Sequence, residues 1–152
     1  MFAGDQTPES IAETIETVRD TGTVEPLTDL NGFGWATGTE LLRALEPDQF
    51  AILNTRSKSG LEALGYSSPN KNTASQSQYE TFVENVREAS SRFDLRAIVE
   101  DVSGQPIPDW ATELEVADFA FSLHHSGKTD LAELPPKRHS TKSAARIQPI
   151  IG

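Results

Sequence analysis

The stretch "LNGFGWATGTELLRALEPDQFAILNTR", Leu30 to Arg56, decides how this chain folds. Two glycines flank Phe33, an apolar pattern at helical spacing follows on Leu41, Leu42 and Leu45, and Pro47 stops it. Proline ends a helix because it lacks the backbone N–H and its ring clashes with the preceding turn. "FAILN", Phe50 to Asn54, then reads as a brief extended run before a new helix. Glycine reaches backbone angles closed to residues with a Cβ. Gly32 and Gly34 are therefore expected to form a tight hairpin between two helices, with Phe33 filling the gap between them.

The flanks agree with a helical reading. On the N-terminal side, Thr7-Pro8 is an N-cap followed by proline in the first turn, and Ile11, Ile15 and Val18 fall at helical spacing. That predicts a helix near 8–20 ended by Gly22, and "VEPLTDL" predicts a short second one carrying Leu27 and Leu30. On the C-terminal side, "TRSKSGLEALGY" predicts a helix closing at Gly65, and residues 66–78 are polar and turn-rich, as a loop would be. Tyr79, Phe82, Val83 and Val86 share one face of a fifth helix, and Leu95, Ile98 and Val99 mark a sixth. After "SGQPIPD" breaks the pattern, Thr112-x-x-Glu115 is a capping box opening a last helix through Leu123, with Gly127 as its stop. The expected fold is one small all-α domain over 1–134, of about six to seven helices and containing a helix-hairpin-helix. Residues 135–152 are expected to be a basic, flexible tail.

Charge is unevenly spread. All 23 acidic residues precede residue 135, against nine Lys or Arg, so that part carries 9 − 23 = −14. Residues 135–152 add four cations, Lys137, Arg138, Lys142 and Arg146, and no acid, which brings the chain to −10. An acidic body normally argues against phosphate binding, which depends on cationic surface. It is also the composition of proteins from halophilic archaea, where acidic surfaces maintain solubility in high salt. Lys58, Lys71 and Lys128 are the only lysines before residue 135, in keeping with that reading. Between 51 and 79, Arg56, Lys58 and Lys71 outnumber Glu62, a local net of +2. With no cysteine, disulfides, thiolate catalysis and thiolate metal sites are all excluded. No apolar run is long enough for a membrane span, the N-terminus lacks a signal-peptide pattern, and a cytoplasmic location is expected.

The hairpin suggests a use. N–H groups at a glycine turn and at the following helix N-terminus point outward together, and with the helix dipole they accept a phosphate. Such a site holds the DNA backbone without reading bases. Here the chain resembles the helix-hairpin-helix of DNA repair glycosylases (the HhH-GPD scaffold). Leu27, Leu30, Gly32, Phe33, Gly34, Thr37, Gly38, Leu41 and Leu42 carry the likeness, with Gly38 in place of the usual alanine. It continues through "FAILNTR" and "LEALGY", covering about residues 27–66. The family's catalytic aspartate falls on Asn54 and the Schiff-base lysine of its bifunctional members on Ala36. An amide is no base, and alanine is no nucleophile. The resemblance therefore implies a DNA-holding scaffold without catalytic residues. An active glycosylase would have to work without either group. A more diffuse likeness, in "GFG…LL…P…F…ILN…R…LGY" and in "TELEVADFAF" from Thr112 to Phe121, is to accessory domains of McrBC-like archaeal restriction systems. That likeness implies a nuclease or AAA motor partner.

The expected DNA contacts are Gly32, Phe33, Gly34, Trp35 and Thr37, with Arg56 and Lys58 reaching the same backbone from the next helix. The competing expectation is a protein-interaction adaptor in which the hairpin is only a helical corner. No cofactor or metal is expected. "SLHHSGKT", Ser122 to Thr129, ends like a phosphate-binding loop but has Ser122 where glycine is required and follows a helix instead of a strand. His124 and His125 are adjacent and diverge by about 100° on a helix, which suits no shared metal. Glu115 and Asp118 read as a solvated face or as salt-bridge partners, and Trp35 and Trp110 read as core or interface residues before base-stacking ones.

Overall fold

The computed structural model describes residues 7–30 and 33–137. Most of the tail expected over 135–152 lies outside these residues. Among the described residues there are seven α-helices, one 3₁₀ turn and no strand. The helices are α1 (Pro8–Thr21), α2 (Glu25–Thr28), α3 (Trp35–Leu45), α4 (Thr55–Ala63), α5 (Gln76–Arg92), α6 (Leu95–Ser103) and α7 (Glu113–His125). The all-α expectation of six to seven helices therefore holds. No described helix is long and apolar enough to cross a membrane.

Caps set most of the boundaries. Thr7 caps α1 in a box with Ser10, Pro8 occupies the first turn, and Gly22 closes the helix at φ 77°. Thr112 and Glu115 form the expected box at α7, and Gly127, at φ 79°, ends it, its N–H donating to the His124 carbonyl and the Lys128 N–H to the Leu123 carbonyl. One boundary moves. The polar loop was expected to run to residue 78, but α5 starts at Gln76 because Ser75 and Gln78 form a further capping box. The polar side chains that look like loop there lie on the first turn of a helix.

α7 is the central element and lies against α4, α5 and α6. It buries Leu114, Val116, Ala117, Ala120 and Phe121. α4 comes close enough that a Cβ added at Gly60 would sit 2.3 Å from Phe121 Cδ1. Real Cβ atoms do not approach that near, so glycine is required here by packing. α5 contributes Tyr79, Phe82, Val86 and Ala89 to the same core. At its start, Gln76 clamps the α1–α2 corner, its Oε1 accepting from Val24 N–H at 2.7 Å and its Nε2 donating to the Gly22 carbonyl at 3.3 Å.

The connection from α3 to α4 is unusual because it is buried. Phe50, Ala51, Ile52 and Leu53 are nearly inaccessible and belong to no regular element. Buried backbone must find hydrogen-bond partners, and here side chains from other helices supply them. Tyr79 Oη donates to the Ala51 carbonyl at 2.8 Å and accepts from the Ala51 N–H at 3.1 Å. Thr39 Oγ1 accepts from Leu53 N–H at 2.9 Å and donates to the Trp35 carbonyl.

α3 buries a different face from the one its leucines predict. Trp35, Gly38, Thr39 and Leu42 face the core, while Leu45 is 42% exposed. The reason is tertiary: Thr39 serves the buried connection, and Gly38 packs toward Leu27 of α2. A Cβ at Gly38 would meet Leu27 at 3.6 Å, an ordinary contact, so the alanine of the resembled motif fits. Gly38→Ala is expected to raise stability by about 0.5–1 kcal/mol through helix propensity. A urea midpoint that rises at unchanged m-value would bear this out, and a falling one would show that α2 cannot yield.

Candidate functional site

α3 begins differently from the other long helices. Thr7, Asn54, Ser75, Asp94 and Thr112 each cap their helix with a side-chain oxygen, whereas the cap position of α3 is Gly34, which has none. Gly34 is exposed, and its φ of −148° and ψ of −169° are extended backbone that any residue adopts. A Cβ there would meet nothing within 4 Å. The expectation that Gly34 supplies a backbone angle closed to other residues is thus corrected: neither torsion nor crowding within the described residues requires glycine. Gly32 lies outside the described residues.

The residues next to it are fixed from behind. Phe33 is half-buried against the core, its N–H donating to the Leu30 carbonyl at 3.0 Å. Trp35 is 6% exposed, and its indole N–H donates to the Ala74 carbonyl at 3.0 Å. Its ring centroid lies 5.2 Å from that of Tyr79, with the planes 32° apart. Trp35 is therefore a core residue whose backbone alone is placed at the α3 terminus, and base stacking by its ring is ruled out. Thr37 is exposed in the first turn.

Arg56 and Lys58 are engaged elsewhere. Lys58 Nζ lies 2.6 Å from Glu62 Oε2, one turn along α4. Arg56 is half-buried with its Nε enclosed and without a hydrogen-bond partner, and its charge acts on Asp118 of α7. Asp118 also receives Arg43 Nη2 at 3.4 Å, while Arg43 Nη1 lies 3.8 Å from Glu115. Burial raises the Asp118 carboxyl above its ordinary pKa; Arg43 and Arg56 lower it, and Glu40 raises it further. Of the two roles expected for Glu115 and Asp118, the structure shows the salt bridge: both face Arg43 of α3 from the partly enclosed side of α7. Within the positive island between 51 and 79, Lys58 is already paired with Glu62 and Arg56 is half-buried.

Asn54, where the resembled family has its catalytic aspartate, has a complete structural role. Its Oδ1 accepts from Ser57 N–H at 2.8 Å, and its own N–H donates to Ser57 Oγ at 2.9 Å. It opens α4 as an N-cap. Ala36 is half-buried in α3.

A second surface takes in Trp110, expected as a core or interface residue, and Phe119, which the sequence reading does not single out. Trp110 is 78% exposed and Phe119 is 52% exposed. Both line an open-sided groove of about 550 Å³ between α6, α7 and the loop joining them. Phe119 had a signal: Glu115, Asp118 and Ser122 lie one to four residues from it, so it falls on the polar face of α7. Trp110 sits in the proline-rich "PIPDW" loop, where no helical face is available to bury it. Among the described residues no cluster of His, Asp and Glu could hold a metal ion. His124 Nδ1 instead accepts from Leu131 N–H at 3.1 Å.

Compared with protein-family models, with curated proteins and with solved structures, the chain matches none of them.

Proposed function

We propose that this chain is a non-catalytic DNA-binding module that holds the phosphate backbone at the N-terminus of α3. Gly34 carries the reading. It is an exposed glycine at a helix start, where nothing within the described fold needs a missing side chain. With no side-chain oxygen at the cap, the first N–H groups of α3 and the helix dipole are left open to a phosphate. Trp35, locked by Ala74 and Tyr79, keeps that first turn in place before any ligand arrives. The contact reads no bases, and a nuclease or AAA motor would supply the chemistry that Asn54 and Ala36 do not.

The test is a duplex titration at several salt concentrations. Two phosphates held would give a slope of log affinity on log salt of about −1.8. Gly34→Glu puts a carboxylate at the site without touching the core, and is expected to weaken binding at least about tenfold, the equivalent of about 1.4 kcal/mol. Absence of salt-dependent affinity, or equal affinity in Gly34→Glu, would end the proposal. Arg56→Glu is the poorer probe, because a second carboxylate beside Asp118 would strain the fold itself.

The adaptor reading is favoured by the exposed pair Trp110 and Phe119, since large aromatics left in water around a groove mark contact surfaces. On that reading Gly34→Glu leaves partner binding intact and Trp110→Ala removes it.

A further inference from the structure

His124 lies in the last turn of α7 with only 17% of its side chain exposed. Its Nδ1 accepts from the Leu131 N–H at 3.1 Å. A ring nitrogen that accepts a hydrogen bond carries no proton, so this contact belongs to the neutral imidazole protonated on Nε2. What the contact holds is a short element at the end of the described chain. Leu131 is 1% exposed and opens the 3₁₀ turn Leu131–Glu133, which packs on α4. Leu134 N–H donates to the Leu131 carbonyl at 3.1 Å, and Leu134 to Lys137 continue beside α6.

The turn has two polar supports at its start. His124 accepts from Leu131 N–H, and Asp130 Oδ1 accepts from Ala132 N–H at 3.1 Å. That same Asp130 Oδ1 lies 3.9 Å from His124 Nδ1. A proton added at Nδ1 turns the acceptor into a donor, and this carboxylate is the partner within reach. Leu131 N–H is then left facing another N–H, and Asp130 is drawn away from Ala132. Both supports are lost in one event. The other charges on the elements packed against α7 are engaged elsewhere or face water. On α4, Lys58 and Glu62 pair with each other, and Arg56 acts on Asp118. Arg43 of α3 serves Glu115 and Asp118, and Arg87 of α5 pairs with Glu113. On α6, Arg96 and Glu100 hold the Ile107 backbone, and the remaining charged side chains of α5 and α6 are exposed. Nearer in the chain, His125, Lys128 and Glu133 are exposed as well.

We propose that His124 is a proton-operated latch for the 3₁₀ turn. Neutral, it holds the turn on the core through Leu131; charged, it pairs with Asp130 and lets the turn loosen. Histidine is the side chain that changes charge between about pH 5 and 8. The latch is therefore closed at the upper end of that range and opens as pH falls. The Leu131 side chain keeps its apolar contacts in either form, so the turn opens more often without leaving the core for good. The position of the strap beside α6 thereby responds to pH.

The experiment uses the full chain and follows amide hydrogen exchange by NMR at about pH 8 and about pH 5, expressed as protection factors. Protection of Leu131 and Leu134 is expected to fall about tenfold at the lower pH, as loss of a hydrogen bond reads. Lys137, whose N–H donates to the Arg92 carbonyl of α5, is the internal reference and should keep its protection. His124→Asn places an amide oxygen near the Nδ1 position and does not titrate, so Leu131 should stay protected at both pH values. His124→Ala should leave it weakly protected at both. Nitrogen chemical shifts of the wild type should place the ring proton on Nε2 at the higher pH, a readout that needs no variant to fold. Any of four results would overturn the proposal: pH-independent protection of Leu131 in the wild type, pH dependence surviving in His124→Asn, an equal loss at Lys137, or the proton on Nδ1.

Discussion

Gly60→Ala is expected to destabilise the protein by a net of about 2 kcal/mol, lowering the melting temperature by about 4–8 °C. The added Cβ would stand 2.3 Å from Phe121 Cδ1, 2.8 Å from Cγ and 3.0 Å from Cβ. These include the base of the ring and the stem that carries it, so a small ring rotation cannot clear them. Phe121 is 1% exposed and α7 packs on three other helices, which leaves the backbone of α4 or α7 as the part that must move. Alanine gains about 1 kcal/mol in helix propensity over glycine, which reduces the loss without reversing it. Phe121→Ala alone is expected to cost about 3–5 kcal/mol by leaving a cavity. The double variant tests the geometry: the methyl introduced at position 60 enters that cavity, and the combined loss falls short of the sum by at least about 1 kcal/mol. Strict additivity would mean that α4 and α7 do not meet at these two residues.

The second large effect is expected from Tyr79→Phe, which changes one oxygen and leaves shape almost untouched. That oxygen satisfies both the N–H and the carbonyl of Ala51, itself only 4% exposed. Removing it strands a buried donor, at a cost of about 1–3 kcal/mol, and weakens a buried acceptor as well. The phenol's pKa is raised by burial, so it remains the neutral O–H that can donate and accept at once. Its ring contacts with Trp35 and Phe82 persist in phenylalanine, which isolates the hydrogen bonds as the cause. The urea midpoint should fall while the m-value stays the same. An unchanged midpoint would show that the Phe50–Leu53 segment is held by its apolar side chains alone. Because the ring contact with Trp35 and the Trp35–Ala74 hydrogen bond both persist, the first turn of α3 should stay in place, and DNA affinity in Tyr79→Phe is expected to be unchanged, in contrast with Gly34→Glu.

Taken with the adaptor reading, the two surfaces divide the molecule. The α3 terminus offers backbone donors and almost no side chain, which fits a repeating polyanion. The α6–α7 groove offers the exposed aromatics Trp110 and Phe119, with Glu115 and Asp118 already paired to Arg43 at its edge. Gly34→Glu and Trp110→Ala change one surface each, and their effects should add because no described contact joins the two sites.

Helix positions were legible along the chain, because the physics of helix ends is local. Thr7-Pro8, Gly22, Pro47, Thr112 with Glu115, and Gly127 act within one turn of their own position, and the structure uses each at the expected place. Apolar spacing likewise identified the buried faces of α5 and α6, where the packed residues are the ones that repeat. The remainder came from contacts between distant parts of the chain. The face that α3 buries follows from Leu53 N–H needing Thr39, fourteen residues earlier. The glycine at 60 follows from Phe121 on another helix. Arg56 is half-buried with its Nε enclosed, and its charge helps to lower the pKa of Asp118 on α7, while Trp35 places its indole on Ala74, thirty-nine residues on. Asn54 lies between the two cases: its cap on α4 is local, but the reading of that position stopped at the carboxylate it lacks and passed over the capping box with Ser57. The physical reason is common to all of them. Helix formation responds to neighbours three or four residues away, whereas close approach and buried polar satisfaction join residues that meet only when the chain has folded.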